Sequence, residues 1–185
     1  MSIWTRRNFI ATLPAVAATA ACDQIQITSN GSEIDAQVRA SRELLFNKVP
    51  GTTGLAEKAA GVLIVPDIKK GAFGLSAAYG EGGLLIGDAL VDYVSFSSLA
   101  FGLQIGAQLY SQALFFMTEQ ALRQFRISDG WELGVDAEFT VLQDAIAAGT
   151  STNVISRPIY AVVYGQNGLI VGASFEGAKY NRLIR

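Results

Sequence analysis

Glycines recur inside the apolar, strand-like segments of this chain, at Gly74, Gly102, Gly106 and Gly172. A glycine within a strand weakens it unless the backbone bends there or comes close to another group. One such residue has little meaning, but four in three different segments indicate a sheet that bends repeatedly. The sequence therefore predicts a strongly curved sheet or barrel.

The order of helical and strand-like periods indicates the fold class. A helix is predicted to begin at the capping box Ser32-x-x-Asp35, and a short second helix is predicted over 55–60. Strands are predicted at 61–66, 73–79, 84–86, 90–96, 100–110, 113–117, 138–142, 155–164 and 169–175. Thr118 is predicted to cap one internal helix over 119–126. We therefore expect an α+β fold, with a curved, mostly antiparallel, glycine-rich sheet or barrel, an N-terminal helical segment and one internal helix.

Three turns are predicted between these strands. The first covers 67–71, and the second is the glycine cluster at 80–83. The third is Asn167-Gly168, because this dipeptide suits a two-residue hairpin.

Composition excludes several classes of chemistry. The chain contains no histidine and one cysteine, so Ser-His-Asp and Cys-His nucleophiles and imidazole-bound metals are ruled out. No G-x-S-x-G or S-x-x-K motif is present. We expect a non-catalytic protein without cofactor or metal, and a hydrolase with an unusual Ser-Lys or carboxylate site ranks last. The net charge of -2 disfavours nucleic acid as a partner.

The N-terminal segment has the pattern of a bacterial export signal. Arg6 and Arg7 precede an apolar stretch at 9–21 that is too short to span a bilayer, which is typical of a twin-arginine signal. The stretch ends at Thr19-Ala20-Ala21-Cys22, which is similar to a lipobox with Cys22 as the acylated residue. The alternative is cleavage after Ala20, which leaves Cys22 as an idle thiol. Asp23 favours the inner membrane over the outer one.

These features predict an exported, lipid-anchored protein of the cell envelope. The predicted organisation is a signal peptide at 1–21, a tether at 22–31 and one domain at 32–185. Without the signal, 12 basic residues stand against 16 acidic ones, so any attraction to anionic lipid must be local. No oligomeric state is predicted.

A series of short motifs runs in order through nearly all of the predicted domain. They are Gly61-Val62-Leu63-Ile64-Val65-Pro66, Lys70, Phe73-Gly74, Tyr79-Gly80-Glu81-Gly82, Ser95, Gly102-Leu103-Gln104, Gly106-Ala107-Gln108, Phe116-Met117-Thr118, Ser128-Asp129-Gly130-Trp131, Gly168-Leu169 and Glu176-Gly177-Ala178-Lys179. This series strongly resembles the SYLF domain. The resemblance implies phospholipid binding, with phosphoinositides and actin filaments as ligands of eukaryotic members and with exported lipoproteins among bacterial ones. Actin does not suit an exported chain, so a phospholipid membrane is the expected partner.

The candidate lipid-binding residues are Lys69, Lys70 and Phe73. In a glycine-bounded turn, the two lysines would face lipid phosphates while the neighbouring Ile68 and Phe73 meet acyl chains. The alternative is an ordinary solvated turn, in which the lysines only protect strand edges. A second function class is an envelope module that binds a protein partner through the same sheet.

Four large aromatic residues and one pair of acids each have two interpretations. Trp131, Tyr93, Tyr160 and Tyr164 are either core residues or the lining of a lipid cavity. Asp136 and Glu138 alternate along a predicted strand and form either an acid pair or solvated carboxylates.

Overall fold

The structure is a computed structural model. It describes residues 29–141, 157–168, 175 and 177–185, without the side chains of 74, 101–104 and 168. The elements in these ranges are α1 (Gly31–Lys48), α2 (Thr52–Lys58), β1 (Gly61–Ile86), β2 (Ala89–Phe116), α3 (Glu119–Ile127), β3 (Trp131–Glu132), β4 (Thr140–Val141), β5 (Ile159–Gly168) and β6 (Lys179–Leu183). The α+β prediction is confirmed, with a curled and mostly antiparallel sheet. None of the helices in these ranges is both long and apolar enough to cross a membrane.

Two very long strands, β1 and β2, form one continuous antiparallel hairpin. They contain 26 and 28 residues and are connected at Gly87-Asp88. The predicted turns at 67–71 and 80–83 are therefore wrong, because both segments lie inside β1. The register shifts between Val65 and Ile68 and again between Phe73 and Leu75. Such bulges bend a strand and increase its twist without ending it.

The first and last parts of β1 cross each other at two glycines. A Cβ atom on Gly82 would lie 2.7 Å from the Cα of Val65, and one on Gly80 would lie 2.8 Å from Cγ1 of Ile68. Only glycine allows backbones to come this close. Gly80 and Gly82, which were predicted to lie in a hairpin turn, therefore allow the two ends of β1 to pack against each other in the curled sheet.

β2 is the centre of the described sheet, whose order is β3-β6-β2-β5-β4, with β1 pairing along β2. β5 pairs with the end of β2 and β6 with its beginning. Asn167 and Gly168 pair with Leu109 and Gln108, so the predicted turn at this dipeptide is wrong. The strand predicted over 169–175 lies, except for Phe175, outside the described residues.

Each face of the sheet packs against a helix. On the outer face, α1 buries four residues that recur at helical spacing, which are Ile34, Val38, Ser41 and Leu45. Its cap is Asn30 rather than the predicted Ser32, because Oδ1 of Asn30 accepts from the backbone N–H of Glu33 at 2.9 Å. The hydroxyl of Ser32 also donates to that Oδ1 atom.

The inner face of the curl packs against α3. Thr118 caps this helix as predicted, with Oγ1 accepting from the N–H of Ala121 at 3.2 Å. Phe125 of α3 packs edge-on against Trp131, with ring centroids 5.2 Å apart. The core interpretation of the aromatic residues is confirmed for Trp131, Tyr160 and Tyr164, which are buried, while Tyr93 is partly buried.

Candidate functional site

The three predicted lipid-binding residues lie in the middle of β1, where consecutive side chains alternate between the faces. Lys69 and Phe73 are exposed on the outer face, whereas Lys70 is buried on the inner one. The two lysines therefore do not present a pair of ammonium groups to one surface. The predicted turn is wrong because both lysines lie within a continuous strand, and lipid binding by the three residues stays a prediction.

Phe73 belongs to an exposed apolar surface that the hairpin presents on its outer face. It lies directly opposite Ile105, and the two residues are 84% and 74% exposed. Leu75 and Leu99 lie next to them on the same face and are also exposed. We call Phe73, Leu75, Leu99 and Ile105 the outer apolar face. Lys69 lies at one end of it, opposite Leu109.

α1 covers the outer face elsewhere, which makes the exposure of this region notable. The helix packs over Val62, Ile64 and Phe115, in a buried cluster at the open end of the hairpin. The outer apolar face continues the same side of β1 and β2 beyond that cluster. Sequence reasoning found only Phe73. The signal for Leu75 was the alternation of apolar residues at 73, 75 and 77, and the signal for Leu99 and Ile105 was the same alternation at 99, 101, 103 and 105. Both are visible once the strands are known to be continuous.

Lys70 occupies an unusual position on the inner face. It is 9% exposed and lies opposite Gln108, whose Oε1 atom is buried without a hydrogen-bond partner. Among the described residues, the side chain of Lys70 forms neither an ion pair nor a hydrogen bond. The buried, unpaired Oε1 atom of Gln108 reduces stability.

A second surface lies between α3, the tip of the hairpin and β6. It is an open groove of about 400 Å³, lined by Ile86, Glu119, Leu122, Arg123, Arg126, Ile127 and Arg182. We call it the arginine groove. Behind it, the buried carboxylate of Asp92 accepts from Nε of Arg126 at 2.7 Å and from Nη2 of Arg182 at 3.0 Å. The sequence gives no local signal for this groove, because Arg182 is far from α3 along the chain.

The buried carboxylate of Glu81 holds the N-terminal and C-terminal segments against the hairpin. It accepts from the backbone N–H of Ser29 at 2.7 Å, from the hydroxyl of Tyr79 at 2.8 Å and from Nη2 of Arg185 at 3.0 Å. Burial, followed by the hydrogen bond to Glu81, raises the pKa of Tyr79 to about 12. With three donors, this carboxylate has a structural role.

Asp136 and Glu138 do not form an acid pair. Oδ2 of Asp136 accepts from the N–H of Glu132, and Glu138 forms an ion pair with Arg157. Within the described ranges, no group of three or more Cys, Asp or Glu residues is arranged to hold a metal ion. The predicted export residues Arg6 and Arg7 and the predicted lipidation site Cys22 lie outside the described residues.

One comparison with known proteins finds a match. Residues 97–182 match the family model Ysc84, described as "Las17-binding protein actin regulator". The matched segment runs from the middle of β2 into β6, so it contains Leu99, Ile105 and all three arginines of the groove. Lys69 and Phe73 precede it. No curated protein matches the chain.

Proposed function

Since residues 97–182 of this chain belong to the SYLF (Ysc84) family, we propose that the protein binds phospholipid membranes through its outer apolar face. The proposed role is non-catalytic. In support, the buried carboxylates of Glu81 and Asp92 both pair with arginines, which suits a structural role for these two acids.

The exposure of the outer apolar face carries this proposal. Soluble proteins rarely leave several large apolar side chains together in water, and such patches usually contact a protein or a membrane. Phe73 and Ile105 form a cross-strand pair, so both enter a bilayer surface together. Each large side chain that moves fully from water into hydrocarbon gains about 1.5–3 kcal/mol.

The position of Lys69 favours a membrane over an uncharged apolar partner as the surface that contacts the outer apolar face. Its exposed ammonium borders the apolar residues, so it meets lipid phosphates when they enter the acyl region. A lysine near an anionic surface adds about 1 kcal/mol. The chain without its signal is net acidic, so this attraction is local.

The proposed anchor at Cys22 brings the domain to the membrane. The seven positions from Cys22 to Ser29 span at most about 25 Å when fully extended. Ser29 is held against the hairpin by its hydrogen bond to Glu81. An acylated Cys22 therefore keeps the domain within a short distance of the bilayer, where weak contacts suffice.

Flotation with vesicles tests the outer apolar face. The full chain carries C22S, which prevents acylation, and the vesicles contain phosphatidylcholine and phosphatidylglycerol. We expect F73S/I105S to lose at least about tenfold in affinity, because two large side chains no longer leave water. V135S is the matched control, since Val135 is 77% exposed but lies in the loop between β3 and β4. Equal binding by F73S/I105S and the parent chain would refute the role of this face.

We further propose that the chain is exported and lipid-anchored in the cell envelope, slightly favouring the inner membrane. Arg6 and Arg7 support the twin-arginine route, which requires the guanidinium pair. The variant R6K/R7K should accumulate as full-length precursor in the cytoplasm. Cell fractionation and immunoblotting locate the variant. Its normal export would contradict the proposal.

A protein partner is the second candidate, because the description of the matched family names binding to a protein. A photo-crosslinking residue in place of Phe73 separates the two functions in intact cells. Crosslinks to phospholipid support membrane contact. A single discrete protein adduct instead supports an envelope module that docks through the same face.

A further inference from the structure

We propose that the arginine groove binds a phosphate group through Arg123, Arg126 and Arg182. The phosphate belongs either to a lipid headgroup or to a small soluble ligand. This site uses none of the residues of the outer apolar face, so it goes beyond the membrane contact proposed above.

Asp92 fixes the positions of two of the three guanidinium groups. Its buried carboxylate holds Nε of Arg126 and Nη2 of Arg182, so both side chains are positioned without a ligand. A guanidinium carries five N–H donors, and each of these two uses one for Asp92. The remaining donors belong to side chains that line the groove and are about half exposed. Such pre-positioned arginines match the oxygens of a phosphate.

Arg123 supplies a third positive charge, and within the described ranges its guanidinium forms no ion pair. It lies three residues before Arg126 on α3, so the two side chains are neighbours on the helix surface. Like charges at this spacing repel each other. With Asp92 and Glu119 as the acids at the groove, one net positive charge remains in a chain that is negative overall. A bound anion relieves this repulsion.

The rim of the groove favours a phosphate that carries an apolar group. Ile127 is 76% exposed and Ile86 is also exposed, and both line the groove with Leu122. A phosphate held by the arginines therefore has apolar surface beside it. This arrangement fits the headgroup of a phosphomonoester lipid such as phosphatidic acid.

The test uses R123Q in the full chain with C22S. Arg123 is exposed and has no partner to lose, so R123Q should fold as the parent chain does. R39Q is the matched control, because Arg39 is an exposed helical arginine on α1, outside the groove. E119Q is the opposite variant, since it removes an acid from the groove.

Two probes distinguish the sources of the phosphate. Inorganic phosphate is titrated while NMR follows the Nε–Hε signals of the arginines, and vesicles of phosphatidylcholine with phosphatidic acid are used in flotation. We expect R123Q to weaken binding of at least one probe by about tenfold and E119Q to strengthen it by about threefold. R39Q should bind both probes like the parent chain. An effect on both probes, or on vesicles alone, assigns the site to a lipid headgroup, and an effect on inorganic phosphate alone assigns it to a soluble ligand.

The proposal is overturned if R123Q and the parent chain bind both probes equally. It is also overturned if R39Q loses as much affinity as R123Q, since the effect is then general electrostatics. Failure of the membrane proposal gives a different result. In that case F73S/I105S floats with vesicles like the parent chain, while in R123Q the NMR signals of the arginines no longer shift on addition of phosphate.

Discussion

Phe73 lies directly opposite Ile105 in the β1–β2 ladder, and both side chains project into water from the middle of two long strands. The same side of the hairpin is covered by α1 near its open end. The sheet therefore continues past its covering helix and leaves an apolar surface open. Lys69 borders that surface, whereas Lys70 faces the inner side.

The two adjacent lysines should respond differently to substitution. K69M should weaken binding to anionic vesicles by about fivefold and flatten its salt dependence, because one exposed charge near the lipid is lost. Its free energy of unfolding should change by less than about 0.5 kcal/mol. K70M should bind like the parent chain and unfold with equal or greater free energy, since an apolar side chain replaces a largely buried lysine on the inner face.

Flotation and urea denaturation measure the two effects. If K70M loses as much vesicle affinity as K69M, both lysines contact lipid and the assignment of Lys70 to the inner face is contradicted.

G82A should destabilise the protein by more than about 3 kcal/mol. The new Cβ would press against the backbone of Ile64 and Val65, and backbone cannot move aside as a flexible side chain does. G71A is the control, because Gly71 lies in the same strand with open space where its Cβ would stand. It should be neutral or stabilising by about 0.5 kcal/mol. Thermal unfolding monitored by circular dichroism provides the comparison, and equal stability of the two variants would refute the close crossing of β1.

Stability should fall in alkaline solution through Tyr110. Burial raises the pKa of its hydroxyl to about 12, from an ordinary value of 10.0. Because the folded-state pKa is the higher one, the unfolded chain loses its proton first. The stabilisation is complete below about pH 10 and is lost as the pH rises through about 12, and it amounts to about 2–3 kcal/mol.

Y110F measures this contribution, since no hydrogen-bond partner of the Tyr110 hydroxyl is present among the described residues. Urea denaturation across the alkaline range should show a shallower decline for Y110F than for the parent chain. An identical decline would mean that Tyr110 titrates normally in the folded protein.

C22S should convert a membrane-pelleting protein into a soluble or unprocessed one, because Cys22 is the single cysteine available for acylation. Mass spectrometry of the parent chain should show acyl chains on Cys22. A parent chain without acyl mass would show that the lipobox interpretation is wrong and that Cys22 is an idle thiol.

The amino-acid sequence alone determined the features that depend on near neighbours. The buried positions of α1 follow from helical spacing. The start of α3 follows from the hydrogen bond that the Thr118 side chain accepts from the N–H of Ala121, three residues later. The α+β class and the curvature of the sheet also followed from strand periods and their glycines. For the two helices, the relevant interactions lie within a few residues along the chain.

Tertiary structure alone decided where the strands continue and which side chains meet. Residues 67–71 and the glycines at 80–83 look like turns in sequence, but β2 pairs with β1 on both sides of a bulge at 66–67 and throughout 80–83. Whether a bend ends a strand depends on the opposing strand, which is not encoded locally. That pairing also decides that Lys69 and Lys70 face opposite ways. The arginine groove exists only because β6 returns beside β2, which brings Arg182 to the same buried Asp92 that holds Arg126 on α3.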